Sequence, residues 1–225
     1  MLTGAGVSAE SGVPTFREAQ TGLWERYDPL ELATPEAFAR DPELVWRWYR
    51  WRRDLVATAE PNAGHRALAE LQSLVPRLTL VTQTVDGMHQ RAGSSDVIEF
   101  HGNLFSNRCS ADARIVHAAA DNDGVPSCPD CGSYLRPGVV WFGEAIPEEA
   151  LHASFAAAAD CDVFLSVGTS ALVYPAAGLA DVAREAGAVT IEVNPSPTGQ
   201  SESYTASLRG NAGTLLPQLV ESLAH

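Results

Sequence analysis

The chain has 225 residues, 45% of them hydrophobic, enough for one enzyme-sized core with a small appended module. A formal net charge of −13 argues against nucleic acid or an anionic membrane as the main partner, because phosphate binding wants a basic surface; a basic protein substrate suits it better. No apolar run reaches the length of a membrane span and no signal-peptide pattern opens the chain, so a cytoplasmic setting is expected.

The chain begins Met1-Leu2-Thr3-Gly4-Ala5-Gly6-Val7-Ser8 and continues to Pro14-Thr15-Phe16-Arg17. Gly4 and Gly6 carry no Cβ, so their backbone N–H groups are expected to approach a pyrophosphate, with a helix N-terminus behind them. Only Met1 to Thr3 precede the glycines, which predicts a first strand cut to a stub. Either the sequence starts late relative to its natural product, or the fold tolerates a stub.

A helix is expected from about Pro42. In it Val45, Tyr49, Arg52 and Val56 are spaced by 4, 3 and 4 and share one face. An arginine on an apolar face either snorkels to solvent or, with Tyr49, forms an acceptor for a carboxylate. The run from Trp46 to Arg53, WRWYRWRR, also reads as a basic aromatic patch for single-stranded nucleic acid, which the acidic total disfavours. Residues 61–75 predict a packing helix in which His65 is structural.

The apolar run Leu78 to Thr82 has the length and β-branching of a buried parallel strand. Gln83, Thr84 and Asp86 then fall at a strand's carboxyl end, the side that faces the ligand crevice of an open α/β sheet. A second run, Val97 to Phe100, delivers His101 and Gly102; histidine moves protons near neutral pH, and the glycine permits close approach. From Asn107 to Pro137 the composition turns to Cys, Asp, Gly and Pro, suggesting a module stapled by a metal rather than by a core. Cys128-Pro-Asp-Cys131 has knuckle spacing and Cys109 precedes it. Residues 138–144 suit either an exposed edge that takes up a peptide strand or an ordinary core strand. A helix at about 147–159 and a strand at 162–167 follow. Gly168-Thr169-Ser170, at that strand's end, can bond phosphate or ribose oxygens, while Cys161 reads as an inert buried thiol. A helix at about 175–186, a strand at 189–193 ending in Asn194, and a C-terminal helix after Arg209–Gly213 complete the pattern. The alternation predicts an α/β fold: a Rossmann-like parallel sheet with helices on both faces.

The glycine string at 3–17, Gln83-Thr-Val-Asp86 and His101-Gly102 together resemble the sirtuins, NAD-dependent protein-lysine deacylases, and the likeness runs from residue 3 to about 220. The resemblance implies one domain: a core at about 1–17, 60–106 and 138–225, a helical insertion at 18–59, and a zinc-ribbon-like module at 107–137. It implies NAD held by Gly4, Ala5, Gly6, Ser8, Gly168, Thr169, Ser170, Asn194 and Ala212, with Phe16 and Arg17 over the nicotinamide end. Catalysis would rest on His101 as general base, Gln83 on the ribose hydroxyls, Asp86 on the carboxamide and Thr84 in the place of an asparagine that orders water and ribose near the scissile bond. Tyr49-x-x-Arg52 and the small Ala33 resemble the branch that removes succinyl and malonyl groups, with acetyl removal left open. Val140, Phe142, Gly143 and Glu144 stand where the family pairs with the substrate backbone.

The sequence departs from the family twice. Thr84 replaces an asparagine, which predicts activity about 10- to 100-fold below an asparagine form. The family's second Cys-x-x-Cys is here Cys109-Ser-Ala-Asp112, so the fourth zinc ligand is Asp112, His117 or none. The expected partners are acylated protein lysines, with no nucleic acid or membrane; the oligomeric state stays open, with a monomer favoured. Two other readings stay open: an ADP-ribosyltransferase, or a non-catalytic module binding NAD or acyl-lysine.

Overall fold

The computed structural model describes residues 1–15, 27–116 and 124–223. Strand β1 (Leu2–Thr3) leads into a 3₁₀ segment, Ala5–Ser11, and then helices α1 (Pro29–Leu32), α2 (Pro35–Arg40), α3 (Pro42–Thr58) and α4 (Ala63–Leu74). Each of the first three helices has proline at its start behind an aspartate or threonine that caps it: Asp28, Thr34 and Asp41 accept from Leu30, Ala37 and Leu44. Strand β2 (Leu80–Thr82), α5 (Met88–Arg91), β3 (Val97–Glu99), β4 (Gly102–Cys109), β5 (Ile115–Val116) and β6 (Leu135–Val139) follow. The chain ends with α6 (Glu148–Ala159), β7 (Val163–Val167), α7 (Leu179–Glu185), β8 (Val189–Asn194), β9 (Ala206–Arg209) and α8 (Ala212–Leu223). The expected helix at 175–186 is divided: a 3₁₀ turn, Ala176–Gly178, precedes α7, as Pro175 and Gly178 in this stretch would suggest.

Six strands form one parallel sheet in the order β3-β2-β1-β7-β8-β9, and β5-β4-β6 form a small antiparallel sheet. In the parallel sheet successive side chains enter opposite cores. Leu80 and Leu165 join a cluster with Ala67 and Leu68 of α4 and Leu216 and Val220 of α8; Val81 and Phe164 join one with Ala158 of α6 and Leu179 and Ala183 of α7. Strands buried on both faces explain the continuous apolar runs. A third core lies between α3 and the small sheet, where Trp46, Trp48 and Tyr49 meet Leu104, Leu135 and Trp141. That burial corrects the nucleic-acid reading of WRWYRWRR: Trp46 and Trp48 are fully buried. Trp46 Nε1 donates to Leu135 O at 2.8 Å, and Arg53 Nη2 bonds Ser106 O and Asn107 Oδ1, each at 2.9 Å.

The strand order reverses at β1 and β7, which pair in parallel, with β2 and β3 on one side and β8 and β9 on the other. Ligands of open α/β sheets bind at such a switch point, beyond the strands' carboxyl ends. Gly4–Gly6 follow β1 there and Gly168–Ser170 follow β7. Among the described residues no helix is long and apolar enough to cross a membrane.

Candidate active site

The glycines serve the site differently from expectation. The N–H of Gly4 donates to Val167 O at 2.9 Å and that of Gly6 to Gly168 O at 2.8 Å, so both are used between the two crevice loops rather than left for a pyrophosphate. What needs glycine is the contact: a Cβ at Gly4 would lie 2.8 Å from Thr169 atoms, and one at Gly6 2.7 Å from Gly168 O. Ala5 is exposed between them and Ser170 is exposed opposite.

At the end of β2, Gln83 Nε2 donates to Thr169 Oγ1 at 3.0 Å, joining the two halves of the switch point. Thr169 also accepts from Ala171 N, and its carbonyl accepts from Asn194 Nδ2 at 3.2 Å, so Gln83, Thr169 and Asn194 form one polar row along the crevice. His101 lies at one end of it, with Nδ1 3.1 Å from Gln83 O. A carbonyl only accepts, so Nδ1 carries the proton and Nε2 is left bare as a base. Burial pushes the His101 pKa below the ordinary imidazole value, and the hydrogen bond to Gln83 O opposes it.

Asp86 is buried beneath the row. Its Oδ1 accepts from Thr84 Oγ1 at 3.2 Å and Met88 N at 3.0 Å, and its Oδ2 from Ser8 Oγ at 2.7 Å. Ser8, expected as a direct cofactor contact, is 1% exposed and turned toward Asp86 and His65. Thr84 is likewise turned inward. Ala212, expected at a turn before the last helix, opens α8 itself, packed against Gly64. Phe16, Arg17 and His117 lie outside the described residues.

On α3, Tyr49 is buried and its hydroxyl accepts from Trp141 Nε1 at 2.9 Å; burial raises its pKa to about 12, opposed by Arg52. The Arg52 guanidinium lies 5.0 Å from the Trp48 ring centroid, and burial lowers its pKa against the pull of Tyr49 and Asp86. Arg52 lines a recess with Val13, Pro14, Thr15 and Trp51, which places Arg52 beside the end of the glycine segment. Ala33 is in the same core, its carbonyl accepting from Phe142 N at 2.9 Å.

Residues 138–144 are not a free edge. Only Gly138 and Val139 belong to β6, and the next N–H groups are taken internally: Val140 by His101 O, Trp141 by Glu144 Oε2 and Phe142 by Ala33 O. Phe142 and Gly143 remain at the surface, Gly143 with φ +85°. The carboxylate of Glu144 is taken up by Arg136, whose Nη2 lies 2.7 Å from Oε2 and whose guanidinium sits 3.6 Å from the Trp141 ring centroid.

Cys109, Cys128 and Cys131 bring their sulfurs within 4.8 Å of one another. Three thiolates at this spacing fit a tetrahedral structural zinc, for which sulfurs sit ~2.3 Å from the metal. Hydrogen bonds from Ser133 hold the Cys131 thiol down to about 7, easing its ionisation. Asp112 is not one of these three; its carboxylate bonds the Cys109 thiol and Arg114, with Arg114 Nε 2.6 Å from Oδ2.

Sequence reasoning missed Trp141, Asn62 and Glu192. Asn62 caps α4 while its Nδ2 donates to Val7 O. Glu192, buried in β8, gathers Thr198, Ser201, Ser207 and Arg209 onto one carboxylate, which fixes the loop after Asn194. An acidic residue inside the apolar run Val189–Val193 was the available signal.

Residues 4–175 match the sequence profile of the Sir2 family. The chain belongs to the Sir2 family. It is 51% identical to the NAD-dependent protein deacylase 1 of Pseudomonas aeruginosa over 98% of this chain and 92% of that protein. It is 48% identical to the NAD-dependent protein deacylase of Mycobacterium tuberculosis over 99% and 96%. A crystallised Sir2 homologue in complex with NAD superposes with a TM-score of 0.93 at 48% identity, over 99% of this chain and 88% of that one. The sirtuin resemblance and the Rossmann-like fold read from the sequence are both upheld.

Proposed function

We propose that this Sir2 protein is an NAD-dependent protein-lysine deacylase that prefers succinyl and malonyl over acetyl groups. The observation that carries the activity is the row Asn194–Thr169–Gln83–His101 over a buried Asp86 at the switch point, with a bare imidazole nitrogen at its end. NAD, when bound, would supply a ribose carbon bearing a nicotinamide leaving group, so that, with one water consumed, the acyl group ends on ADP-ribose and nicotinamide and free lysine are the other products.

The protein's own part is positioning and one proton transfer. His101 Nε2 accepts a ribose hydroxyl proton, and Gln83 orients that ribose from the Thr169 side. Asp86 Oδ2 holds one acceptor site beyond its Ser8 bond, the right group for a carboxamide N–H. Gly4, Ala5, Gly6, Gly168, Ser170 and Asn194 line the rest of the crevice, and Phe142 and Gly143 offer the surface for the substrate chain.

The acyl preference rests on Tyr49 and Arg52. A desolvated guanidinium beside a tyrosine is stabilised by an incoming carboxylate, which binds the fork in bidentate fashion. Arg52→Met is expected to lower kcat/KM for succinyl-lysine peptides by about 10- to 100-fold, the worth of a charged hydrogen-bonded pair, with acetyl turnover retained. Equal loss on both peptides would remove the carboxylate-reading role.

A further inference from the structure

Two hydrogen-bond chains converge on Asp86, and the direction of every link is fixed by counting protons. A carboxylate only accepts, so the single proton of Thr84 Oγ1 goes to Asp86 Oδ1. Thr84 must then accept from Thr82 Oγ1, 2.9 Å away. Thr82 in turn accepts from Thr3 Oγ1 at 2.8 Å and from the Thr84 N–H at 3.1 Å. Thr3 has given its proton to Thr82, so the contact of 2.9 Å between Thr3 Oγ1 and His89 Nε2 requires the imidazole to donate. His89 is then neutral with Nδ1 bare, and Nδ1 is buried with no hydrogen-bond partner. The second chain is shorter. Ser8 donates to Asp86 Oδ2, His65 Nε2 donates to Ser8 across 3.2 Å, and His65 Nδ1 accepts from Asn62 N. The two rings close the circuit edge to face, 4.9 Å between centroids.

We infer that Thr84 is a positioning residue for Asp86 rather than a ligand of the reacting groups: its hydroxyl completes the chain from His89 that saturates Oδ1 and leaves Oδ2 as the carboxylate's acceptor toward the crevice. Oδ1 has two donors already, so a ligand amide finds capacity only on Oδ2. An asparagine here could join the same neighbours only through two separate atoms, its amide oxygen accepting from Thr82 and its nitrogen donating to Asp86, so the link through a single oxygen belongs to this sequence's threonine. The inference deepens the deacylase reading and rests on Asp86 meeting the cofactor amide.

Nitrogen-15 NMR of the histidines near neutral pH reads the chain directly. The parent is expected to show His89 as the neutral Nε2–H tautomer. Thr84→Val, which keeps the shape and deletes the relay, releases that constraint and shifts the His89 nitrogens, whereas Thr84→Ser keeps the parent spectrum. Kinetics supply the second readout: KM for NAD rises about tenfold in Thr84→Val with kcat within about threefold, and Thr84→Ser recovers the parent value, the scale of one charge-assisted hydrogen bond. An Nδ1–H tautomer in the parent, or a Thr84→Val enzyme with parent spectrum and KM, would overturn the inference. Lack of turnover in the parent contradicts the deacylase reading alone, because the tautomer decides the chain whether or not the protein is active.

Discussion

At the residue scale the decisive feature is His101. Its Nδ1 is tied to Gln83 O, so the ring offers one nitrogen to the crevice in a known tautomer. Burial holds its pKa below the ordinary imidazole value, so the base form persists to lower pH than for a free histidine, and the acid limb of the rate profile should fall below ~6.5. His101→Ala is expected to lower kcat by about 10²- to 10⁴-fold, measured as nicotinamide release under saturating NAD. A variant with kcat unchanged would show that the base is elsewhere. Residue types were legible here: Gln83, Asp86 and His101 were all readable as crevice groups from their place after apolar runs. Orientation was not. Nothing in the string shows that Thr84 and Ser8 turn inward, since that depends on the packing of β1, α4 and α5 around Asp86.

At the scale of elements, the parallel strands and the longer helices were readable because the apolar periods are strong and proline marks the helix starts. The failures have local causes. The 138–144 stretch reads as a strand, yet the Arg136–Glu144 pair and the Ala33 carbonyl bend it into a turn after Val139. The Ala33 contact comes from a segment far away in sequence, and no local pattern announced it. The small sheet carries its own prediction. Cys109 and Cys128 are buried in the same core as Trp46 and Leu135, so a metal on the three thiols ties β4 and the segment before β6 to α3. Chelation, or Cys128→Ser, is expected to lower the melting temperature by roughly 5–10 °C, as a loss of about 2–3 kcal/mol would in a chain of this size. An unchanged melting temperature in a chelated, metal-free sample would exclude a stabilising ion.

At the scale of the whole molecule, the ring of hydroxyls and imidazoles under Asp86 joins β1, β2, α4, α5 and the glycine segment, so its charge state bears on the fold itself. His65 and His89 are each pushed down from 6.5 to about 4, first by burial, with Asp86 opposing; His65 also depresses His89. The unfolded chain therefore takes up protons before the native one does. Stability from these rings is whole above about 6.5 and is lost as pH falls through 6.5 toward 4. A loss on the order of 3 kcal/mol per ring is expected across that window, seen as a lower urea midpoint at about pH 5 than at pH 7. Equal midpoints would mean that the rings titrate normally. The α/β class and a crevice at the strands' carboxyl ends were legible in the strand rhythm. The buried ring was not, because its members come from five separate segments. The proposed activity as a whole rests on the chemistry of the crevice. Incubating the protein with NAD and matched succinyl- and acetyl-lysine peptides, and following peptide mass together with nicotinamide, tests it most directly. It predicts deacylated peptide and nicotinamide in equal amounts, with the succinyl peptide consumed faster. Nicotinamide released while the peptide gains an ADP-ribose mass, or no turnover of either peptide, would contradict it.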